Sequence, residues 1–247
     1  MSNSLQILMP AHNEGKNIQK HIIKVNNILK KKINFSFLIC EDGSSDNTLE
    51  ILEKLKKKFK IQILSKKEKQ GYSTAVMSGI KIAKADYLLI MDSDGQCDPK
   101  DIMSFWHRRK ESDLVCGYRS PRYDFAYRKF ISKIFYLIYN ILFKVPLRDP
   151  SFAFVFMNKK TYTNLNNFTP YLPDGFFWEV NARSNKLKFL STSADFNLDS
   201  ITWPKLIYSI FSSFNDAVAS VPVPPPEPST LYAIIYLIIF FVCHLIK

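Results

Sequence analysis

Tyr87-Leu88-Leu89-Ile90-Met91-Asp92-Ser93-Asp94-Gly95-Gln96 is the stretch that decides the fold. An unbroken apolar run this short reads as a strand buried on both faces. It passes without a spacer into two carboxylates separated by one serine. In extended backbone, side chains two apart share a face. Asp92, Asp94 and Gln96 are therefore in phase. Two carboxylates on one face repel at neutral pH unless a cation sits between them. Hard oxygen ligands suit Mg²⁺ or Mn²⁺. The plainer alternative is an acidic surface loop, and the buried strand feeding directly into the pair argues against it.

The same pattern recurs upstream. Leu5 to Met9 is a short apolar strand, followed by Pro10-Ala11-His12-Asn13-Glu14. Phe35 to Cys40 is a second, followed by Glu41-Asp42-Gly43-Ser44-Ser45-Asp46. Ile61 to Leu64 is a third. Helical spacing fills the intervals. Ile18, Ile22, Val25, Ile28 and Leu29 mark a helix over Asn17–Lys31, and Leu49, Leu52 and Leu55 mark another, capped by Ser45 or Asp46. Gly71–Lys84 is a small-residue helix whose Ala75, Gly79 and Ala83 permit close packing on a sheet. Strands separated by helices imply right-handed crossovers and a largely parallel sheet. Ligands then bind beyond the carboxyl ends of the strands. The three polar clusters all follow strand ends, so the sequence brings them to one sheet edge.

Downstream, a helix over Pro99–Lys110 and strands over Asp113–Gly117 and Phe152–Met157 continue the α/β pattern. Helices are expected over Phe176–Lys186 and Ile201–Val218. Ala126–Phe143 pairs large apolar groups with Arg128, Lys129 and Lys133. It reads equally as a packed helix or as one lying on a membrane surface.

The chain holds 34 Lys and Arg against 22 Asp and Glu. The basic residues are scattered and not interleaved with aromatics, so no nucleic-acid partner is expected. No cysteine pair has metal or disulfide spacing, which fits a reducing compartment. Cys40 and Cys116 lie in apolar runs and read as core residues. The N-terminus lacks a basic region followed by an apolar one, so no signal peptide is expected. Residues 221–230 are a stiff Pro-rich linker. Leu231 to Ile246 is apolar throughout and rises about 24 Å as a helix, short of the ~30 Å hydrocarbon core. The expected organisation is a catalytic domain over 1–220, the linker, and an apolar C-terminal helix over 231–247 as membrane anchor.

Pro10-Ala11-His12-Asn13-Glu14, Glu41-Asp42-Gly43-Ser44-Ser45-Asp46, Gly71 with Ala75 and Gly79, and Asp92-Ser93-Asp94-Gly95-Gln96 follow in that order. Together they resemble the motifs of family 2 glycosyltransferases of the GT-A type. The likeness is strongest to the dolichyl-phosphate mannose synthase and polyprenyl-phosphate glycosyltransferase branch. It runs from about residue 4 to 120 and more loosely to about 190. It implies a Rossmann-like, mostly parallel sheet flanked by helices. It implies that Pro10, Asn13, Glu14 and Asp42 hold a nucleoside, with Gly71 beside them. It implies that Asp92, Asp94 and Gln96 ligate Mg²⁺ or Mn²⁺, and that Arg119 and Arg128 face phosphates. Arginine suits that role because its fork binds phosphate oxygens bidentately. Gly175-Phe176-Phe177-Trp178-Glu179 resembles the family's helix with an acidic residue.

The departures fall in the acceptor half. Asp149-Pro150-Ser151-Phe152-Ala153-Phe154-Val155 carries Val155 where the branch has arginine, and Asn197–Lys205 keeps only Lys205 of a second basic motif. A lipid-phosphate acceptor is already anionic and needs only cations to place it. A sugar hydroxyl needs a carboxylate to take its proton, and Asp149, Asp174 and Glu179 are the candidates. The expected function is inverting transfer of a hexose from a UDP- or GDP-linked sugar to a polyprenyl phosphate, at the cytoplasmic face of a membrane. A saccharide or other hydroxyl acceptor, and a membrane-tethered nucleotide-binding scaffold, stay open.

Overall fold

Strands form where apolar residues run without a helical period, and helices where they recur every third or fourth position. In the computed structural model, which describes residues 3–120, 152–164 and 189–194 with single positions Lys133 and Leu137, this gives seven strands and five helices. β1 is Ser4–Ala11, α1 Ile18–Leu29, β2 Asn34–Asp42, α2 Thr48–Lys56 and β3 Ile61–Lys66. α3 is Tyr72–Ile82, β4 Tyr87–Ile90, α4 Asp101–His107 and β5 Leu114–Arg119. β6 is Val155–Asn158, α5 Lys159–Asn164 and β7 Phe189–Ala194.

The strands form one sheet in the order β3-β2-β1-β4-β6-β5-β7. β1 pairs in parallel with β2 and β4, and β2 with β3. β6 runs antiparallel to both β4 and β5, and β5 pairs in parallel with β7. The expected mostly parallel sheet is present, with β6 the reversed strand. The carboxyl ends of β1, β2, β4 and β5 share one edge.

Alternation along the strands divides the core in two. Leu5, Ile7, Met9, Phe37, Ile39, Leu89 and Met91 pack with α1, α2 and α4 on one face. Leu8, Leu38, Cys40, Leu88 and Ile90 pack with α3 and with Tyr162 of α5 on the other. Cys40 and Cys116 are buried core residues, as their apolar neighbours predict. α3 approaches the sheet closely. A Cβ on Gly79 would lie 2.5 Å from Leu8 Cδ1 and 2.6 Å from Cys40 Sγ. Gly79→Val is therefore expected to destabilise the fold by about 1–3 kcal/mol through overpacking, read as a lower urea midpoint at unchanged slope.

Some expectations shift. The third-quarter strand begins at Val155, later than the expected Phe152, because Phe154 N–H turns back to the Phe152 carbonyl at 2.9 Å. α2 takes Asn47 as its N-cap without a side-chain cap bond, while Asp46 accepts from Thr48 N–H at 2.9 Å. α5 and β7 were not expected. The segment 126–143, apart from Lys133 and Leu137, and the expected helices 176–186, 201–218 and 231–247 lie outside the described residues, as does the linker. No described helix is long and apolar enough to cross a membrane.

Candidate functional site

β4 sets the site. Leu88 and Ile90 face α3, and the chain leaves the strand after Ile90. Met91 N–H donates to the Leu8 carbonyl at 3.1 Å and extends the pairing past the strand end. Ser93 turns inward, buried, and its hydroxyl donates to the Pro10 carbonyl at 2.8 Å. Asp92 and Asp94, on either side of it, are half-buried and in the opposite phase. Asp94 Oδ1 accepts from Gln96 N–H at 2.9 Å across Gly95, whose φ of 83° favours glycine. Burial thus alternates through 91–94, with Asp92 and Asp94 more exposed than Met91 and Ser93.

This pair fits a hard cation. Mg²⁺ is commonly held by one or two protein carboxylates, with substrate phosphates and water completing its shell. Among the described residues no group of three or more His, Cys, Asp or Glu is gathered for a metal. A two-carboxylate site is therefore the form that these residues support, and Gln96 is half-buried in the same loop.

Asp42 ends β2 on the same sheet face as Cys40 and is buried. Its Oδ1 accepts from Gln70 N–H at 2.9 Å and its Oδ2 from Gly71 N–H at 2.8 Å. Asp42 therefore ties β2 to the start of α3. Each oxygen keeps one lone pair for another donor. Glu41, also buried, accepts from Ser44 N–H and from the Ser65 hydroxyl, each at 2.5 Å. A narrow crevice beside them is lined by Cys40, Asp42, Lys66, Gln70, Thr74 and Ser78. The Cys40 thiol in its wall is pushed up to about 12 by burial and by Asp42, and stays protonated.

Gly71 has φ 93° and precedes α3. A Cβ there would meet nothing within 4 Å. The glycine is required by its backbone, and the space in front of it is open. The N-terminus of α3 faces the edge that carries Asp42, and its Gly71 N–H is donated to that carboxylate.

The β1 loop locks onto the β2 loop. His12 Nδ1 lies 2.7 Å from the Asp42 carbonyl. A carbonyl only accepts, so Nδ1 carries the hydrogen and Nε2 accepts from Asn13 Nδ2 at 3.4 Å. Asn13 adopts φ 56°, a left-handed conformation that asparagine tolerates. Its N–H donates to Ser44 Oγ at 3.0 Å, and its Oδ1 accepts from Ser45 N–H at 2.8 Å. Glu14 N–H donates to Thr48 Oγ1 at 2.8 Å, and Glu14 Oε2 accepts from Asn17 Nδ2 at 3.1 Å. Burial alone would raise the Asp46 carboxyl, but bonds from the Thr48 hydroxyl and N–H and from Gly15 N–H hold it below the usual range.

Pro10, Asn13, Glu14, Asp42, Gly71, Asp92, Asp94 and Gln96 thus lie at one sheet edge, as expected. Arg119 ends β5 at the same edge, opposite Ala194 of β7. Arg128 and Glu179 lie outside the described residues, as do Asp149 and Asp174. Val155 is buried in β6 between Ile90 and Cys116.

Sequence reasoning passed over His21. It sits on α1 among Ile18, Ile22 and Val25, buried, and its Nε2 has no hydrogen-bond partner. A polar residue interrupting that apolar stripe was the available signal. Burial, with Lys24 adding to it and Asp98 opposing, holds its pKa at about 4 against an ordinary 6.5. Between those values the unfolded chain binds the proton and the folded chain does not. Stability is therefore expected to fall as pH drops from about 6.5 to 4, by on the order of 3 kcal/mol. Urea unfolding at pH 7, 5.5 and 4 checks this, and His21→Leu should flatten the dependence over that window. Asp46 adds its own loss only at lower pH, below the ordinary aspartate range.

The Glycosyl transferase family 2 profile matches residues 6–170. Dolichol-phosphate mannosyltransferase of Pyrococcus furiosus is 28% identical over 63% of this chain and 46% of its own length. Dolichyl-phosphate beta-glucosyltransferase of Dictyostelium discoideum is 29% identical over 64% of this chain and 54% of its own length. The chain spans about half the length of these relatives. Among solved structures, a Pyrobaculum calidifontis mannosyltransferase in complex with GDP-Man and Mn²⁺ superimposes with a TM-score of 0.60, at 12% identity, over 92% of this chain and 67% of that one. Glucosyl-3-phosphoglycerate synthase of Mycobacterium tuberculosis, in complex with Mn²⁺, UDP-glucose and phosphoglyceric acid, gives 0.61 at 11% identity, over 91% and 81%. These likenesses show a GT-A-like fold.

Proposed function

Because this chain belongs to glycosyl transferase family 2, we propose that it moves a hexose from a UDP- or GDP-linked donor to a polyprenyl phosphate, in a reaction that requires Mg²⁺ or Mn²⁺. The observation that carries the donor half is the buried Ser93 bond to Pro10, which ties the loop of Asp92 and Asp94 to the end of β1, beside the end of β2 that carries Asp42. The relatives named for dolichyl-phosphate transfer support the acceptor half.

Asp92, Asp94 and Gln96 would hold the cation. When bound, it neutralises charge on the departing nucleoside diphosphate. The positive end of the α3 dipole lies at the same edge and favours these phosphates. Arg119 and Arg128 add guanidinium donors. Pro10, Glu14 and Asp42 line the nucleoside seat, and Asn13 shapes its wall through Ser44 and Ser45. An acceptor phosphate oxygen attacks the anomeric carbon opposite the leaving diphosphate. One carbon–oxygen bond forms as the other breaks, with inversion. An ionised phosphate has no proton to lose, so this route needs no general base.

Membrane association at a cytoplasmic face, through residues 231–247, belongs to the same proposal. Lys133 and Leu137, one helical turn apart, are both exposed, Leu137 to 62%. An apolar group and a cation side by side in water suit a lipid interface.

Radiolabelled UDP- and GDP-hexoses, Mn²⁺ and short polyprenyl phosphates in detergent provide the test. The expected result is an organic-extractable labelled product, lost on adding EDTA. No lipid-linked product from any donor would contradict the acceptor assignment.

A second reading takes a hydroxyl acceptor. Val155 favours it, since β6 buries an apolar side chain where the branch supplies a cation. Glu179→Gln or Asp149→Asn would then abolish turnover while donor binding persists.

A further inference from the structure

The acidic loop touches α1 through two residues, His21 and Lys24, that are not among those assigned to the donor. The ring Nδ1 of His21 lies 3.7 Å from the point that a Cβ on Gly95 would occupy. The imidazole therefore lies beside the turn at Gly95, between Asp94 and Gln96. One turn along α1, Lys24 Nζ pairs with Asp98 Oδ1 at 3.4 Å. The near end of the loop is fixed by Ser93 on Pro10, its middle rests on His21, and its far end is drawn to Lys24.

His21 is costly where it stands. It lies on an otherwise apolar stripe, and its Nε2 is buried without a partner. Native interiors satisfy nearly all such groups, and an exception calls for an explanation. A leucine would fit the stripe at no such cost. What distinguishes position 21 from Ile18, Ile22 and Val25 is that its ring reaches the one loop residue with no side chain of its own.

We propose that His21 and Lys24 are positioning residues that brace the loop 92–98 from α1 and set the spacing of Asp92 and Asp94 for a divalent cation. Neither touches the cation or the donor. Both act through the loop, in the way that residues behind metal ligands tune affinity. The proposal rests on the metal reading of the acidic pair.

The test is Mn²⁺ binding by the full chain, measured from the free-ion paramagnetic resonance signal with saturating UDP or GDP. Nucleotide binding in EDTA and the thermal midpoint are measured in parallel. His21→Leu and Lys24→Met are each expected to weaken Mn²⁺ binding, by about tenfold for His21→Leu. Metal-free nucleotide binding should change little, and the midpoint of His21→Leu should hold or rise. His21→Asn, which keeps a polar atom near the Nδ1 position, should recover most of the affinity. Unchanged Mn²⁺ affinity in His21→Leu would overturn the brace. So would equal weakening of metal-bound and metal-free nucleotide binding, which marks a purely structural role. If the wild-type chain binds nucleotide but no Mn²⁺, the metal reading itself fails and takes the brace with it.

Discussion

Asp94→Asn is expected to slow sugar transfer by about a thousandfold and leave the fold intact. A bound cation contributes several kcal/mol to a transition state that develops charge on a diphosphate. Each 1.36 kcal/mol is tenfold in rate, so losing about 4 kcal/mol gives that factor. The substitution is well suited to the question because it preserves the local structure. Asp94 Oδ1 accepts from Gln96 N–H, and the amide oxygen of asparagine accepts the same bond. What disappears is the charge. Asp92→Asn should behave alike. Ser93→Ala removes only the bond to the Pro10 carbonyl, and should cost about 1 kcal/mol of stability and far less activity. Initial rates at saturating Mn²⁺, with a melting curve for each variant, separate these outcomes. A loss under tenfold for both aspartates would remove the acidic pair from the chemistry.

Gly43→Ala is expected to cost about 3–5 kcal/mol of stability and most of the nucleotide affinity. Gly43 has φ 62°, and a Cβ there would sit 2.5 Å from Glu68 C and Lys69 N. The left-handed conformation costs an alanine on the order of 1 kcal/mol. The contact is with backbone, so no side chain can rotate away and the loop must move. That loop carries the Gln70 and Gly71 N–H groups that hold Asp42. Moving it leaves a buried carboxylate short of donors, at about 1–3 kcal/mol or more. Against a typical total of 5–15 kcal/mol, the variant sits near the threshold of folding. Gly71→Ala is the control. Its Cβ meets nothing, so only the backbone cost of about 1–3 kcal/mol applies. Urea unfolding and nucleotide titration of the two variants compare a packed glycine with an open one.

The first ninety residues were legible because their strands are apolar and uninterrupted and their helices keep a period. Parallel pairing of β1, β2, β3 and β4 follows from the crossover helices between them. Past that point the signals weaken. Lys159–Asn164 has no apolar period, yet it forms α5 through Asn158 Oδ1, which accepts from the Thr161 N–H at 2.9 Å. Phe189–Ala194 begins apolar and ends in small polar residues, and it is a strand because β5 offers an edge to pair with. The site divides in the same way. The place of Asp92 and Asp94 just past the end of β4 is local, so the apolar run before them revealed it. Asp42's commitment to Gln70 and Gly71 links residues 28 and 29 apart through an aperiodic loop, and no pattern in the sequence announces it.

The central claim is that Asp92 and Asp94 hold a divalent cation against a donor diphosphate. Crystals grown with Mn²⁺ and a nucleoside diphosphate, measured at the manganese absorption edge, test it most directly. The account predicts an anomalous peak about 2.1 Å from a carboxylate oxygen of Asp92 or Asp94, with diphosphate oxygens on its far side. Nucleotide density in the cleft with no such peak, or with manganese bound elsewhere, would contradict it.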